Sequence, residues 1–348
     1  RVSSSGAAYS LTEYAELWGA AVVREGHNTN SSAPLPTVAA CARIRNEARY
    51  LREWLEFHRL VGVTSFYIFD DASDDATREI LAPYEASGLA LVWPISETPC
   101  PKHRGNAPCA DRERDAAHGE HGFRDECLRV NPHRADWILM TDVDEFAYPA
   151  NFETLPEHLA STQCDARVAY LLVRWHVFGS AGRRRRPTTG TSSIEAYRER
   201  GREDDRACSP RLTCGDETSP PVCAKVLARA KCVTRQGTHY VVDVANHDDD
   251  DCVDIYEGAR KLARPRADDA FAARQHERCA ALIHLNHYAV RSREDFVDKF
   301  ARGRISSGAR DARLGLADAA TRTRDVGRKD VAAFLDDLDA SDAAMKRS

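Results

Sequence analysis

From residue 37 onward, short apolar runs alternate with amphipathic stretches. Val38-Ala-Ala-Cys-Ala-Arg-Ile44 is suited to a buried strand, and Asn46 follows as a cap for a helix with Glu47 in its first turn. In that helix Tyr50, Leu51, Trp54, Leu55, His58 and Val61 recur at helical spacing, and Gly62 ends it. Phe66-Tyr-Ile-Phe69 predicts a second strand, running into the acidic turn Asp70-Asp71-Ala72-Ser73-Asp74-Asp75. A helix over 76–87 stopped by Gly88, a strand over 89–93, a helix near 122–130 and a strand at Trp137-Ile-Leu-Met140 continue the alternation. Such alternation predicts an α/β protein with a doubly wound parallel sheet, whose ligands lie beyond the carboxyl ends of the strands. Both acidic clusters, Asp70 to Asp75 and Asp142-Val143-Asp144-Glu145, fall at such ends.

After Pro149 the pattern changes to strands over 168–177, 222–227, 239–244 and 281–290 separated by polar loops, which predicts a mixed second half. Residues 1–36, Ser/Ala/Gly-rich and ending in Asn-Thr-Asn-Ser-Ser-Ala-Pro-Leu-Pro, read as a stem or linker. One domain is expected over 37–310, and 311–348 reads as an Ala/Asp/Arg-rich helical segment.

Composition narrows the class. An apolar fraction of 43% suits a globule with a substantial core, and a net charge of −5 spread over the chain gives no reason to expect nucleic acid. No stretch approaches the roughly 20 apolar residues of a membrane span, so the chain reads as an ectodomain without its anchor. Eleven cysteines, with Cys100/Cys109 and Cys208/Cys214/Cys223/Cys232 in loop-like segments, point to disulfides and an oxidising compartment. The odd count leaves a thiol over, and Cys41 and Cys127 lie in apolar patterns natural to buried free thiols. Intervals of five, eight and eight residues in the second group lack the short knuckles of zinc modules. Asn30-Ser31-Ser32 is a glycosylation sequon.

Two carboxylates one residue apart at a strand end repel unless a cation or donors neutralise them. Asp142 and Asp144 are therefore candidate ligands for a hard cation, Mn²⁺ or Mg²⁺, that also takes oxygens of a nucleotide diphosphate.

Taken together, Asn46-Glu-Ala-Arg-Tyr-Leu-Arg-Glu-Trp-Leu-Glu-Phe-His58, Gly62-Val, Tyr67-Ile-Phe-Asp70, Ser73-Asp-Asp75, Asp142-Val-Asp-Glu-Phe146, the run from Trp175 to Gly182, Leu285-Asn-His-Tyr288, Ser292-Arg-Glu-Asp-Phe296 and Lys299 resemble glycosyltransferase family 92 and related family-2-like transferases. The resemblance implies a GT-A type, Rossmann-like sheet with the acceptor side in the mixed second half. It also implies Mn²⁺ dependence, inversion, UDP-galactose as donor and a glycan acceptor. Carried onto this chain, it puts Arg45, Asn46, Glu47, Asp70 and Ser73 at the nucleotide, and makes Asp142 and Asp144 the metal motif. His239 and His287 both qualify as a third metal ligand, Lys225 as a diphosphate contact or a surface lysine, and Glu195 as the general base. The run Arg183 to Arg186 reads either as an anion grip or as a solvated loop. The expected setting is the Golgi or secretory lumen, as a type II membrane protein. An inactive glycan-binding relative and a nucleotidyltransferase are the alternatives. The second should carry a Gly-rich phosphate loop after the first strand, where Ala42-Arg-Ile-Arg-Asn-Glu47 has no glycine.

Overall fold

The computed structural model describes residues 34–95, 122–131, 133–161, 164, 167–188, 190–198, 224–236, 241–244, 252, 256–257, 260–261 and 278–301. β1 (Val38–Ile44) is buried along its whole length, as an apolar run between two neighbours must be. α1 (Ala48–Leu60) lays Tyr50, Leu51, Trp54 and Leu55 on the sheet, and β2 (Val63–Asp70) returns parallel to β1. α2 (Thr77–Ala86) and β3 (Ala90–Pro94) repeat the step, β3 parallel to β2. α3 (Gly122–Val130) leads to β4 (Trp137–Met140), parallel to β1 on its other side. The order β3-β2-β1-β4 is thus all parallel, with α1 and α2 over one face and α3 over the other, the doubly wound half the periodicity predicts.

Beyond β4 the directions mix. β5 (Glu145–Pro149), α4 (Leu155–Ala160), β6 (Tyr170–Val177), α5 (Ser193–Ala196), β7 (Ala224–Arg229), the pair β8 (Val233–Gln236) and β9 (Val241–Val244), the pair β10 (Tyr256–Glu257) and β11 (Arg260–Lys261), β12 (Ile283–His287) and α6 (Arg293–Ala301) follow in the chain. The eight-stranded sheet runs β3-β2-β1-β4-β7-β6-β12-β5, with β7 antiparallel to β4 and β6, and β12 parallel to β6 but antiparallel to β5. The mixed second half is as expected. The helical segment expected over 311–348 and residues 1–33 of the expected stem lie outside the described residues.

Three readings are corrected. Cys41 and Cys127 are not free thiols: they are joined, tying β1 to α3 across the second core layer. Cys164–Cys279 and Cys232–Cys252 are also paired. Asn46 does not cap α1 with its side chain. It adopts φ +52, and its amide exchanges bonds with Asp74, Nδ2 donating to Oδ1 (2.6 Å) and Oδ1 accepting from the Asp74 N–H (2.8 Å). The helix end is satisfied from across the cleft instead, where Asp75 accepts from the Ala48 N–H (3.1 Å) and Thr77 Oγ1 from that of Glu47 (3.0 Å). Finally, the last strand stops at His287 and not at 290: the Tyr288 N–H still makes the next rung of the β12–β5 ladder, to Asp144 O (2.8 Å), but the chain then leaves the sheet and Arg291 is left-handed (φ +54).

Gly62, at φ +93, passes so close to α4 that a Cβ there would lie 2.6 Å from Pro156 Cδ. It fixes the turn from α1 to β2.

Candidate active site

The Asp142-Val143-Asp144 turn joins β4 to β5 and is held from below by Glu145. That carboxylate, fully buried, accepts from the Asp142 N–H (2.9 Å) and Thr141 Oγ1 (3.2 Å). The next strand hangs on α1. Trp54 Nε1 donates to Glu145 O (3.1 Å), and the Ala147 N–H donates to His58 Nε2 (3.3 Å) while His58 Nδ1–H reaches Trp54 O (2.9 Å). From the far end of the chain, Arg291 Nη2 donates to Val143 O (3.2 Å).

Three carboxylates and two ammonium groups meet at this turn. Lys225, 2% exposed, donates to Asp142 Oδ2 (2.5 Å) and lies 3.3 Å from Glu145 Oε2; Lys299 of α6 is ion-paired with Asp144 Oδ2. Loss of water raises the Asp142 and Asp144 carboxyls, but Lys225 at the first, and Lys299 followed by His287 and Arg291 at the second, more than reverse this. Both carboxyls stay below their ordinary range. Glu145 is pushed up to about 8 by burial, only partly opposed by Lys225. Desolvation lowers the Lys225 ammonium, yet Asp142 and Glu145 together raise it above normal, so the lysine is a resident charge.

The β5–β12 register sets His287 opposite Glu145, with Nε2 3.8 Å from both Asp144 Oδ1 and Glu145 Oε1. Burial lowers its pKa to about 4, leaving a neutral imidazole able to ligate. His287 Nδ1 and Glu145 Oε1 are buried without a hydrogen-bond partner, so this corner carries unused polar capacity. Carboxylate oxygens and one neutral imidazole suit a hard divalent cation. The His158, Cys164 and Cys279 group has ligand atoms within 4.8 Å of one another, but its two sulfurs form a disulfide.

An open cleft of about 320 Å³ gathers residues from opposite ends of the chain: Asn46 and Glu47 after β1, Asp144, and Arg291 and Lys299 before and within α6. Asp70 and Ser73 stand behind this wall, Asp70 Oδ1 accepting from the Ser73 N–H (3.1 Å) and Ser73 Oγ from that of Asn46 (2.9 Å). Arg45 is half-buried and does not line the cleft. Lys225 lies under the motif and not on the surface. Glu195 is exposed in α5, where it completes a capping box with Ser192; α5 is anchored next to the cleft by Glu53, which accepts from the Ser193 N–H (2.7 Å), and by Tyr197 OH donating to Asp295 (3.2 Å). His239 lies outside the described residues.

The Arg183 to Arg186 run is neither a free anion grip nor a plain solvated loop. Arg186 pairs with Asp295 (2.7 Å) and Asp298 of α6, and the carbonyls of Arg183 and Arg184 receive the N–H groups of Arg293 and Glu294. Arg291 and Lys299 are the residues sequence reasoning left out of the site. Each stands more than 140 positions from the residue it holds in the turn, Val143 for Arg291 and Asp144 for Lys299, with no local signal beyond the motif spacing.

The model of glycosyltransferase family 92 matches residues 37–265. The chain belongs to glycosyltransferase family 92. Among curated family 92 proteins, one from Oryza sativa subsp. japonica is 28% identical over 45% of this chain and 24% of its own length, and one from Arabidopsis thaliana is 30% identical over 32% and 16%. The chain thus spans less than a third of the curated family 92 relatives it matches. The crystal structure of S. aureus TarS 1–349 overlaps this family 92 chain at a TM-score of 0.30, with 12% identity over 84% of this chain and 73% of that one, too slight a likeness to bear on the site. Among the described residues no helix is long and apolar enough to cross a membrane.

Proposed function

We propose that this chain transfers a sugar, galactose from UDP-galactose, to a hydroxyl of a glycan acceptor with inversion at the anomeric carbon. Membership of family 92 supports glycosyl transfer. The single observation that carries the site is the cleft in which Asn46 and Glu47 meet Asp144, Arg291 and Lys299 at the carboxyl ends of β1 and β4.

In this reading Asp142 and Asp144, with His287, hold Mn²⁺ or Mg²⁺. Once bound, the ion neutralises the leaving diphosphate as a Lewis acid. The chain's own side chains do the rest. Lys225 and Glu145 fix the turn so that the two carboxylates need not rearrange, Asn46 and its Asp74 partner shape the nucleotide wall, and Glu195 takes the proton of the acceptor hydroxyl. The three disulfides among the described residues and the family support a place in the Golgi or secretory lumen.

The test is UDP release from a panel of UDP-sugars with Mn²⁺ or EDTA, alongside Asp142→Ala and Asp144→Ala. Turnover of UDP-galactose above other donors, dependent on Mn²⁺ and lost in both variants, is the expected result. Absence of turnover and of nucleotide binding with every donor would leave the glycan-binding relative as the better reading.

A further inference from the structure

Arg49, Arg186, Arg291 and Lys299 all line the cleft; Arg49 donates to Pro187 O (2.6 Å), and Arg186 and Lys299 are ion-paired with carboxylates. Arg291 is not. It is 6% exposed, and among the described residues it has no carboxylate oxygen within 4.0 Å. One donor, Nη2, is used on Val143 O, and Nε is buried without a partner. A buried guanidinium whose fork is mostly unused is costly, and so is a left-handed arginine (φ +54). Tyr50 adds a constraint, since its ring lies 3.5 Å from Cζ and bars the fork from swinging away. The side chain is therefore locked at one end to the carboxylate turn and stacked on one face, with Nε committed to no acceptor among the described residues.

Opposite stands Lys299, whose side chain is 45% exposed and whose ammonium rests on Asp144 Oδ2. A planar fork matches two oxygens of a phosphate bidentately, whereas an ammonium on a long stem follows the charge it is offered. We propose that Arg291 is the fixed arm of a diphosphate grip and Lys299 its swinging arm, which leaves Asp144 for the diphosphate and so bares that carboxylate oxygen. This rests on the donor-site reading above and adds which residues hold the diphosphate.

Calorimetric titration with UDP, uridine and inorganic pyrophosphate, each with Mn²⁺ and with EDTA, tests it. Arg291→Gln is expected to weaken UDP and pyrophosphate by about tenfold or more and uridine by less than about twofold. Tyr50→Leu, which keeps the guanidinium and removes its wall, should weaken UDP several-fold and leave uridine alone. If Arg291→Gln unfolds, Arg291→Lys gives the same reading, because it keeps the charge and loses the fork. Unchanged UDP affinity in the Arg291 variants, with wild type binding UDP, overturns this inference alone; equal loss of UDP and uridine overturns it too, as the mark of a merely structural arginine. Pyrophosphate held through Arg291 without any binding of UDP would sink the donor reading and leave the grip standing. A wild type that binds neither sinks both.

Discussion

Lys225 Nζ lies 2.5 Å from Asp142 Oδ2 although the lysine is 2% exposed and the aspartate side chain 46% exposed. The surface carboxylate is thus held by a charge from the core, which also faces Glu145.

Lys225→Met leaves Glu145 and Asp142 without that charge. The variant is expected to lose about 3 kcal/mol of stability, the scale for removing one partner of a buried pair, read as a lower urea midpoint at unchanged m. An unaltered midpoint would show that the ammonium contributes nothing to the turn.

His58 gives a pH signature. Its Nδ1–H reaches a carbonyl and its Nε2 accepts from Ala147, an arrangement only the neutral ring can make, and burial lowers its pKa to about 4. The unfolded ring protonates near 6.5 and the folded one only near 4, so its contribution to stability is complete above the first value. It is lost as pH falls through that window, by about 3 kcal/mol in all. His158 and His287 slope the same way. Urea titrations from pH 7.5 to about 4 should therefore show a shallower fall in His58→Gln than in wild type, whatever the absolute cost of the substitution.

Cys127→Ser opens a link between residues 86 positions apart. The expected loss is about 4 kcal/mol by the chain-entropy argument, and the wild type should yield a crosslinked Cys41–Cys127 peptide in a non-reducing digest.

Glu195→Gln separates two roles. Glutamine also completes a capping box, so the fold of α5 and the melting temperature should hold. If the carboxylate is the base, kcat falls by about 10²-fold or more with donor KM unchanged. Unaltered kcat would move the base to another carboxylate.

The parallel half was legible because each step from β1 to β3 and β4 is local, with the apolar period of each element and the glycines that end α1 and α2 all within a few residues. β5 was not. It begins inside the acidic motif, is five residues long, and exists because β12 pairs with it from far along the chain. The site divides the same way. The paired carboxylates Asp142 and Asp144 and the Asn46 position announce themselves by spacing, whereas Arg291 and Lys299 reach the turn only through the β5–β12 register. Cys41 and Cys127 misled because apolar neighbours are equally natural to a free thiol and to a buried disulfide.

The bonds from Trp54 and His58 to β5 end on main-chain atoms, a carbonyl and an amide. Such an anchor is indifferent to which side chains β5 carries. A change of side chain at the partly exposed Tyr148 would therefore leave both bonds in place, whereas Phe146, fully buried against Phe57, His58 and Tyr288, is fixed by packing, so that the turn rests on positions 54 and 58 for its polar anchor and on position 146 for its apolar one.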